Sequence, residues 1–217
     1  MLRRHHLRRR RPPHVSATLL HGGDDARIDW ERNGSSAKIT IRGNNIDARP
    51  ILRGFYEAPR DSSSEISDLE IDLRSAIFTG HNNEAATNVE LRAAKRGAEL
   101  RQFSLSGRFG KADLRGQLAR RADGQPRVVI ESADAGAFLR FIDLYRRMVG
   151  GKLSIDVGSN DARQDGQLVV KDFVLRNEPA LRQASAAQPA NDVGDTSRVT
   201  RARETARGDV EFEKVRV

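Results

Sequence analysis

Short segments in which apolar and polar residues alternate dominate the chain between residues 23 and 130. Successive side chains of a β-strand point to opposite faces, so alternation predicts strands with one apolar face and one charged face. Short polar turns separate the segments, which favours antiparallel neighbours. The Asn33-Gly34 dipeptide, which suits a tight hairpin turn, separates the first two segments. We therefore predict a mainly β fold, an elongated, curled antiparallel sheet of amphipathic strands.

Residues 133–149 depart from this alternation and predict one amphipathic helix over 134–149. The apolar positions have helical spacing and include Phe138, Phe141, Tyr145 and Met148. Asp134 is a suitable N-cap, and Gly150-Gly151 supplies a left-handed stop. The apolar face of this helix either packs on the adjacent sheet as a plug or brace, which we favour, or binds a membrane surface or partner protein. A segment at 46–55 is either helical or irregular.

The remaining pattern divides the chain into regions of different composition. Strands are predicted at 152–157 and 167–175, and residues 182–208 have almost no apolar periodicity, as expected of a linker. A terminal segment resumes strand character, and we expect its partner strand to lie in a longer protein. The predicted organisation is a basic disordered tail at 1–22, antiparallel strands at 23–130, a helix-strand-strand core at 131–181, a polar linker at 182–208 and the terminal strand of a truncated continuation at 209–217.

The net charge of +8 on 217 residues first suggests nucleic-acid binding, because cationic surfaces release counterions from phosphates. However, six arginines lie among the first 11 residues, before the first acid, Asp24, so removing those arginines leaves 8 − 6 = +2. The rest of the chain also lacks interleaved basic and aromatic residues. We therefore predict no nucleic-acid partner, and we favour a solvated or spurious extension over a functional arm for the basic start.

The sequence contains no cluster typical of catalysis or metal binding. There is no cysteine, and four of the five histidines lie at or before residue 21, while His81 lies in a polar turn. Glu70 and Asp72 fall on the polar face of an alternating segment, where solvated carboxylates are ordinary. Residues 107–111 lack the spacing of a phosphate-binding loop. We predict no catalytic residue, no metal, no cofactor and no enzymatic activity.

The segment from 133 to 181 resembles the AsmA-like C-terminal region of the AsmA, TamB and YhdP superfamily of bacterial envelope proteins. The resemblance lies in "ADAGAFLRFIDLYRRMVGGKLSI", followed by "GQLVVKDFVLRNEPAL". The helix positions that match are Asp134, Ala135, Gly136, Leu139, Arg140, Tyr145, Arg147, Gly150 and Gly151. The strand positions that match are Gly166, Leu168, Asp172, Phe173, Arg176, Pro179, Ala180 and Leu181.

This resemblance implies a fragment of a periplasmic, β-rich protein that takes part in intermembrane phospholipid transport and outer-membrane integrity. It implies tethering to the inner membrane through an anchor absent from this chain, which also has no targeting signal. The other implied partners are phospholipid acyl chains and the remainder of a longer chain.

Together, the alternation and the resemblance predict an apolar β groove for lipid. A large apolar face must be covered, and an acyl chain gains about 0.8 kcal/mol per buried methylene. The candidate groove residues are Ile39, Ile41, Leu69, Ile71, Leu73, Val89, Leu91, Phe103 and Leu105. The alternative is a structural or protein-interaction β module of the cell envelope, in which the apolar face is filled by the protein's own side chains.

Overall fold

A computed structural model describes residues 14–19, 25–57, 66–120, 124–158, 166–177, 198–204 and 210–216. The described residues form one open sheet and two helices, so the predicted mainly β fold is confirmed. The strands are β1 His14–Leu19, β2 Asp25–Asn33, β3 Ser36–Asp47, β4 Asp68–Thr79, β5 Ala85–Arg96, β6 Glu99–Phe109, β7 Ala112–Arg120, β8 Pro126–Ser132, β9 Met148–Gly158, β10 Gly166–Leu175, β11 Arg198–Glu204 and β12 Val210–Arg216. The helices are α1 Arg49–Glu57 and α2 Ala135–Phe141.

Strands β1 to β10 follow one another across the sheet in chain order, and β12 and then β11 complete it. The predicted hairpin between β2 and β3 is present, with Asn33 paired to Ser36 and Gly34 at a φ of +60°. Glycine tolerates this positive φ without steric cost. Most neighbours are therefore joined by short turns, as the alternating segments predicted.

One pair departs from the predicted antiparallel arrangement, because β3 and β4 are parallel. The chain leaves β3 through α1 and returns to start β4 at the same end of the sheet, which a two-residue turn cannot achieve. The Asp47 carboxylate accepts a hydrogen bond from the Arg49 backbone N–H at 2.9 Å, and Pro50 lies in the first turn of α1. The segment that was predicted as either helical or irregular is thus the end of β3 followed by a crossover helix.

The prediction of a helix over 134–149 is wrong beyond residue 141. Asp143 adopts a φ of 58°, which breaks the helical path, and the Asn82 side chain donates to the Asp143 carboxylate at 2.9 Å. Tyr145 therefore follows the helix instead of belonging to it. Helical spacing of apolar residues continued across this break because both sides of it contact the same core.

Met148 begins β9 and is not the last turn of a helix. Its backbone pairs with Leu175 of β10, so the strand satisfies the hydrogen bonds that a helix would have supplied. Gly150 and Gly151 have φ values of 65° and 87°, yet both lie within β9. The left-handed conformation of the two glycines was predicted correctly. It occurs within β9, however, and does not end the helix.

Both polar terminal regions contain strands where the sequence predicted none. Residues 14–19 of the predicted tail form β1, and residues 198–204 of the predicted linker form β11. The rest of 1–22 and of 182–208 lies outside the described residues, as does the Pro179-Ala180-Leu181 corner. β1 has a short alternation at Val15 and Ala17 that follows the arginine-rich start, whereas β11 has little apolar character. Backbone pairing with a neighbouring strand stabilises both, and this pairing is not visible in the sequence.

The predicted terminal strand is present as β12, and it lies between β10 and β11. Val170 of β10 pairs with Val215, and Val199 of β11 pairs with the same residue from the other side. The partner strand that we expected in a longer protein is therefore supplied on both sides within this chain.

Candidate functional site: the inner face of the sheet

The strand registers gather apolar side chains on one face of the sheet, which we call the inner face. Directly paired residues point to the same face, so a chain of pairings defines a row of side chains that crosses the strands. One such row, the middle row, is unbroken across ten strands. It consists of Ala17, Ile28, Ile41, Leu73, Leu91, Leu105, Gly116, Ile130, Ile155 and Leu168.

A second apolar row, the distal row, runs beside the middle row on the side away from α2. Its members on β1 to β6 are Val15, Trp30, Ile39, Ile71, Ala93 and Phe103, and those on β7 to β9 are Leu118, Val128 and Val157. No charged residue occurs in the middle or distal row.

Phe103 and Gly116 show how closely the inner face packs where the two rows meet. A Cβ atom on Gly116 would lie 2.8 Å from Cε1 of the Phe103 ring and 3.0 Å from Cβ of Leu105. The aromatic ring therefore covers the gap that glycine leaves in the middle row. This contact also places side chains of both rows on the same side of the sheet.

The third row, the deep row, runs on the α2 side of the middle row and is the most buried. Val89, Leu114, Leu153 and Val170 are each no more than 5% exposed. In the distal row, by contrast, the described residues from Trp30 to Val157 are all half-buried. The described residues of the deep row are therefore more buried than those of the distal row.

Helix α2 closes the deep end of the inner face with aromatic side chains. Phe138 and Phe141 lie on α2 and pack edge-to-face against Phe109, with ring centroids 6.3 and 5.4 Å apart. Phe141 also contacts Phe78 at 6.0 Å. Tyr145 and Met148 pack in the same cluster from the segment after the helix and from β9. All four predicted plug residues thus meet at one end of the inner face, although only two of them belong to the helix.

Polar contacts hold α2 against the turn between β4 and β5. The Arg140 guanidinium donates to the Glu84 carboxylate at 2.6 Å and also donates to the Met148 carbonyl. The His81 backbone N–H donates to the Phe141 carbonyl at 2.9 Å, and the Asn82 side chain donates to the Arg140 carbonyl at 2.9 Å. These bonds satisfy carbonyls at the end of α2 that have no partner within the helix.

The residues that carry the AsmA-like resemblance in α2 have structural roles. The Asp134 carboxylate caps the helix by accepting from the Ala137 N–H at 2.9 Å. A Cβ atom on Gly136 would lie 2.4 Å from the Met148 carbonyl oxygen, and one on Gly151 would lie 2.7 Å from Cβ of Phe173. Gly136 therefore permits close packing of the helix on β9, and Gly151 permits close packing of the Phe173 side chain of β10 on β9. Nothing in this arrangement indicates chemistry at these positions.

The opposite face of the sheet, the polar face, carries ion pairs between strands. Arg42 of β3 donates to the Asp72 carboxylate of β4 at 2.6 Å, and this hydrogen bond lowers the pKa of Asp72 below its usual value. A hydrogen bond from the Asn82 side chain, together with one from Arg146, lowers the pKa of Asp143. Lowered carboxyl pKa values keep these groups ionised, as pairing requires. The shifts therefore reflect structural pairing and do not identify a general acid.

Shallow concave regions lie along the sheet and have mixed linings. One of about 530 Å³ is lined by Arg27, Arg42 and Arg74 together with Ala26 and Val89, and another of about 480 Å³ is lined by Ala37 and Lys95 among others. Within the described residues, no group of three or more histidine or acidic side chains is arranged to hold a metal ion. In the same part of the chain, no helix has the length and apolar character needed to cross a membrane.

The structure places all nine predicted groove residues on the inner face. The middle row contains Ile41, Leu73, Leu91 and Leu105, the distal row contains Ile39, Ile71 and Phe103, Val89 lies in the deep row, and Leu69 lies beyond the distal row. Leu73 and Val89 are buried in the core, so they are less accessible than the others.

Sequence reasoning missed the continuation of these rows on both sides. Ile28 and Trp30 extend them onto β2, while Ile130, Ile155 and Leu168 extend the middle row to β10. The alternating pattern predicted that several of these residues lie on an apolar face. Only the pairing of residues between strands shows that they align with the predicted groove residues. Comparisons of the chain with protein families, with characterised proteins and with solved structures find no match.

Proposed function

We propose that the inner face binds the acyl chains of phospholipids and that the chain is part of an AsmA-like envelope protein. In this proposal the protein is non-enzymatic, lies in the periplasm and is tethered to the inner membrane. It contributes a lipid-binding segment to intermembrane phospholipid transport, and so to the integrity of the outer membrane.

The observation that carries the proposal is the middle row, which crosses ten strands without a charged residue. Strands about 4.8 Å apart give ten strands a row about 43 Å long. Most of its described residues between β2 and β10 are half-buried, so hydrocarbon remains exposed unless it is covered. Each methylene of an acyl chain that becomes buried there gains about 0.8 kcal/mol.

The physical character of the surface suits transport more than tight, selective binding. Alkyl contacts are not directional, and the side chains along the middle row are similar from strand to strand. A bound chain can therefore shift along the row without losing a specific hydrogen bond. No catalytic step is needed for such movement.

Lipid extraction from the purified chain, followed by mass spectrometry, tests this function directly. We expect phospholipid to copurify with the wild-type chain and to decrease in Ile71→Asp, because Ile71 is half-buried in the distal row. The control is Glu70→Gln, one residue away on the polar face. A wild-type chain without phospholipid, or equal lipid in both variants, would contradict the proposal.

A second candidate is a structural or protein-interaction module of the cell envelope that binds no lipid. The buried cluster at the α2 end favours it, because Phe138, Phe141 and Phe109 fill that part of the inner face with the protein's own side chains. If filling extended to the distal row, Trp30 and Phe103 would exclude small apolar probes. Protection of the Trp30 fluorescence from a short-chain apolar quencher would support this candidate over lipid binding.

A further inference from the structure

On β2 to β7, the described strand residues of the inner face carry positive charge beyond the distal row, at the end away from α2. The next row of paired residues there, the rim row, contains Arg32, Ala37, Leu69, Lys95 and Leu100. On β7, Arg120 lies two residues beyond Leu118 and pairs with Pro126, so it occupies the same level of the inner face. The rim row thus combines three cations with apolar residues.

Two of these cations, Lys95 and Arg120, form no ion pair with a described residue, unlike several cations on the polar face. On the polar face, Arg42 pairs with Asp72 and Arg115 pairs with Asp113. Lys95 is directly opposite Leu69 and Leu100, and it forms no ion pair with any residue that the structure describes. Arg120 donates a side-chain hydrogen bond to the Gly124 carbonyl at 3.3 Å, and no ion pair joins it to any acid that the structure describes.

The two ends of the inner face differ in chemical character. From α2 outward the inner face changes from a buried aromatic end, through two uncharged rows, to a cationic rim. Long cationic side chains commonly lay their methylene groups on apolar surface while the charged end stays in water. An amphiphile that matches this order has a hydrocarbon chain and an anionic headgroup.

We infer that the inner face binds anionic amphiphiles in one orientation, with the headgroup at the rim beside Lys95 and Arg120 and the hydrocarbon chain directed towards α2. This inference rests on the proposed lipid function and adds the headgroup charge and the direction of the bound molecule. It also predicts that lipid enters and leaves at the rim end, because Phe138 and Phe141 block the other end.

The test compares two soluble probes with the same alkyl chain, dodecyl phosphate and uncharged dodecyl maltoside, titrated below their micelle concentrations. We expect the wild-type chain to bind dodecyl phosphate at least about tenfold more tightly, which corresponds to about 1.4 kcal/mol. Added salt should reduce this preference, since the charges lie at an exposed rim.

Two double variants with the same change in net charge locate the effect. Lys95→Gln/Arg120→Gln removes rim cations from β5 and β7, and we expect it to abolish most of the preference for phosphate while leaving binding of dodecyl maltoside unchanged. Arg96→Gln/Arg115→Gln removes polar-face cations from the same two strands and should retain the preference. Unfolding midpoints establish that both variants are folded.

The outcomes separate this inference from the function on which it rests. If both probes bind but the wild-type chain shows no preference for phosphate, or if the two double variants behave alike, the orientation is overturned and the apolar groove stands. If neither probe binds, the lipid function itself fails, and the inference fails with it.

Discussion

Gly80 and Phe141 are in direct contact across the end of the inner face, where the turn after β4 meets the end of α2. A Cβ atom at Gly80 would lie 2.3 Å from Cδ2 of the Phe141 ring, well inside van der Waals contact. The neighbouring His81 N–H also donates to the Phe141 carbonyl. The turn therefore packs directly against the C-terminal end of α2.

This contact predicts that Gly80→Ala destabilises the protein through the Phe141 ring. Overpacking of a core costs about 1–3 kcal/mol, and we expect the free energy of unfolding to fall by about that amount. The measurement is urea unfolding of Gly80→Ala, Phe141→Leu and the double variant. The smaller leucine should relieve the clash, so the double variant should lose less than the sum of the two single losses. Strict additivity would argue against the contact.

A larger effect is expected at Gly136, where the neighbour is backbone. A Cβ atom there would lie 2.4 Å from the Met148 carbonyl oxygen, which cannot move aside without distorting β9. We therefore expect Gly136→Ala to lower the free energy of unfolding by more than Gly80→Ala, at or above the upper end of about 1–3 kcal/mol. Paired urea unfolding curves of the two alanine variants give the comparison. A smaller loss for Gly136→Ala would show that α2 does not pack as described.

The pairing of Asp72 with Arg42 predicts a pH-dependent contribution to stability. Because the hydrogen bond from Arg42 lowers the pKa of Asp72 below 3.8, the ionised carboxylate stabilises the folded state above that pH. This contribution is lost as the pH falls through the lowered native pKa. For a partly exposed pair it amounts to about 1 kcal/mol or less.

Unfolding of the wild type and of Asp72→Asn at neutral and strongly acidic pH measures this contribution. The variant should be less stable at neutral pH, and the difference should shrink in acid, where the wild-type carboxyl is protonated. The control is Glu70→Gln, on the same strand and face but without a hydrogen bond from arginine among the described residues. A deficit of Asp72→Asn that persists unchanged in acid would contradict this account of the pair.

The sequence was sufficient to predict the apolar face but not its full extent. Alternation at residues 37–42 and 69–74 identified which side chains share a face, since that follows from the local geometry of a strand. The register between strands depends on tertiary pairing, so the alignment of Ile28 with Ile41 and of Ile130 with Ile155 could not be predicted. The parallel pairing of β3 and β4 could not be predicted for the same reason, because it depends on how the chain crosses over through α1.

The helix prediction failed where tertiary contacts took precedence over local spacing. Phe138 and Phe141 are helical, whereas Tyr145 and Met148 reach the same cluster through a turn and a strand. The spacing of these four residues is compatible with one continuous helix. In the structure the Asn82 side chain bonds to Asp143 just after the helix, and Met148 pairs with Leu175 as part of a strand. The rim cations are also a feature that we did not predict. The pairing of Lys95 with Leu69 and Leu100 places it on the inner face, whereas the neighbouring Arg96 lies on the polar face.

The most direct test of the central claim is the binding of a fluorescent phospholipid to two variants of adjacent residues in β6. Phe103 lies half-buried in the distal row, and Ser104 points to the polar face opposite Arg92 and Gln117. Phe103 is suited to substitution because it is not part of the buried cluster. With folding checked by unfolding midpoints, we expect Phe103→Asp to weaken lipid binding at least about tenfold and Ser104→Asp to bind like the wild type. Equal binding by the two variants, or no saturable binding by the wild-type chain, would contradict the assignment of the inner face as a lipid-binding surface.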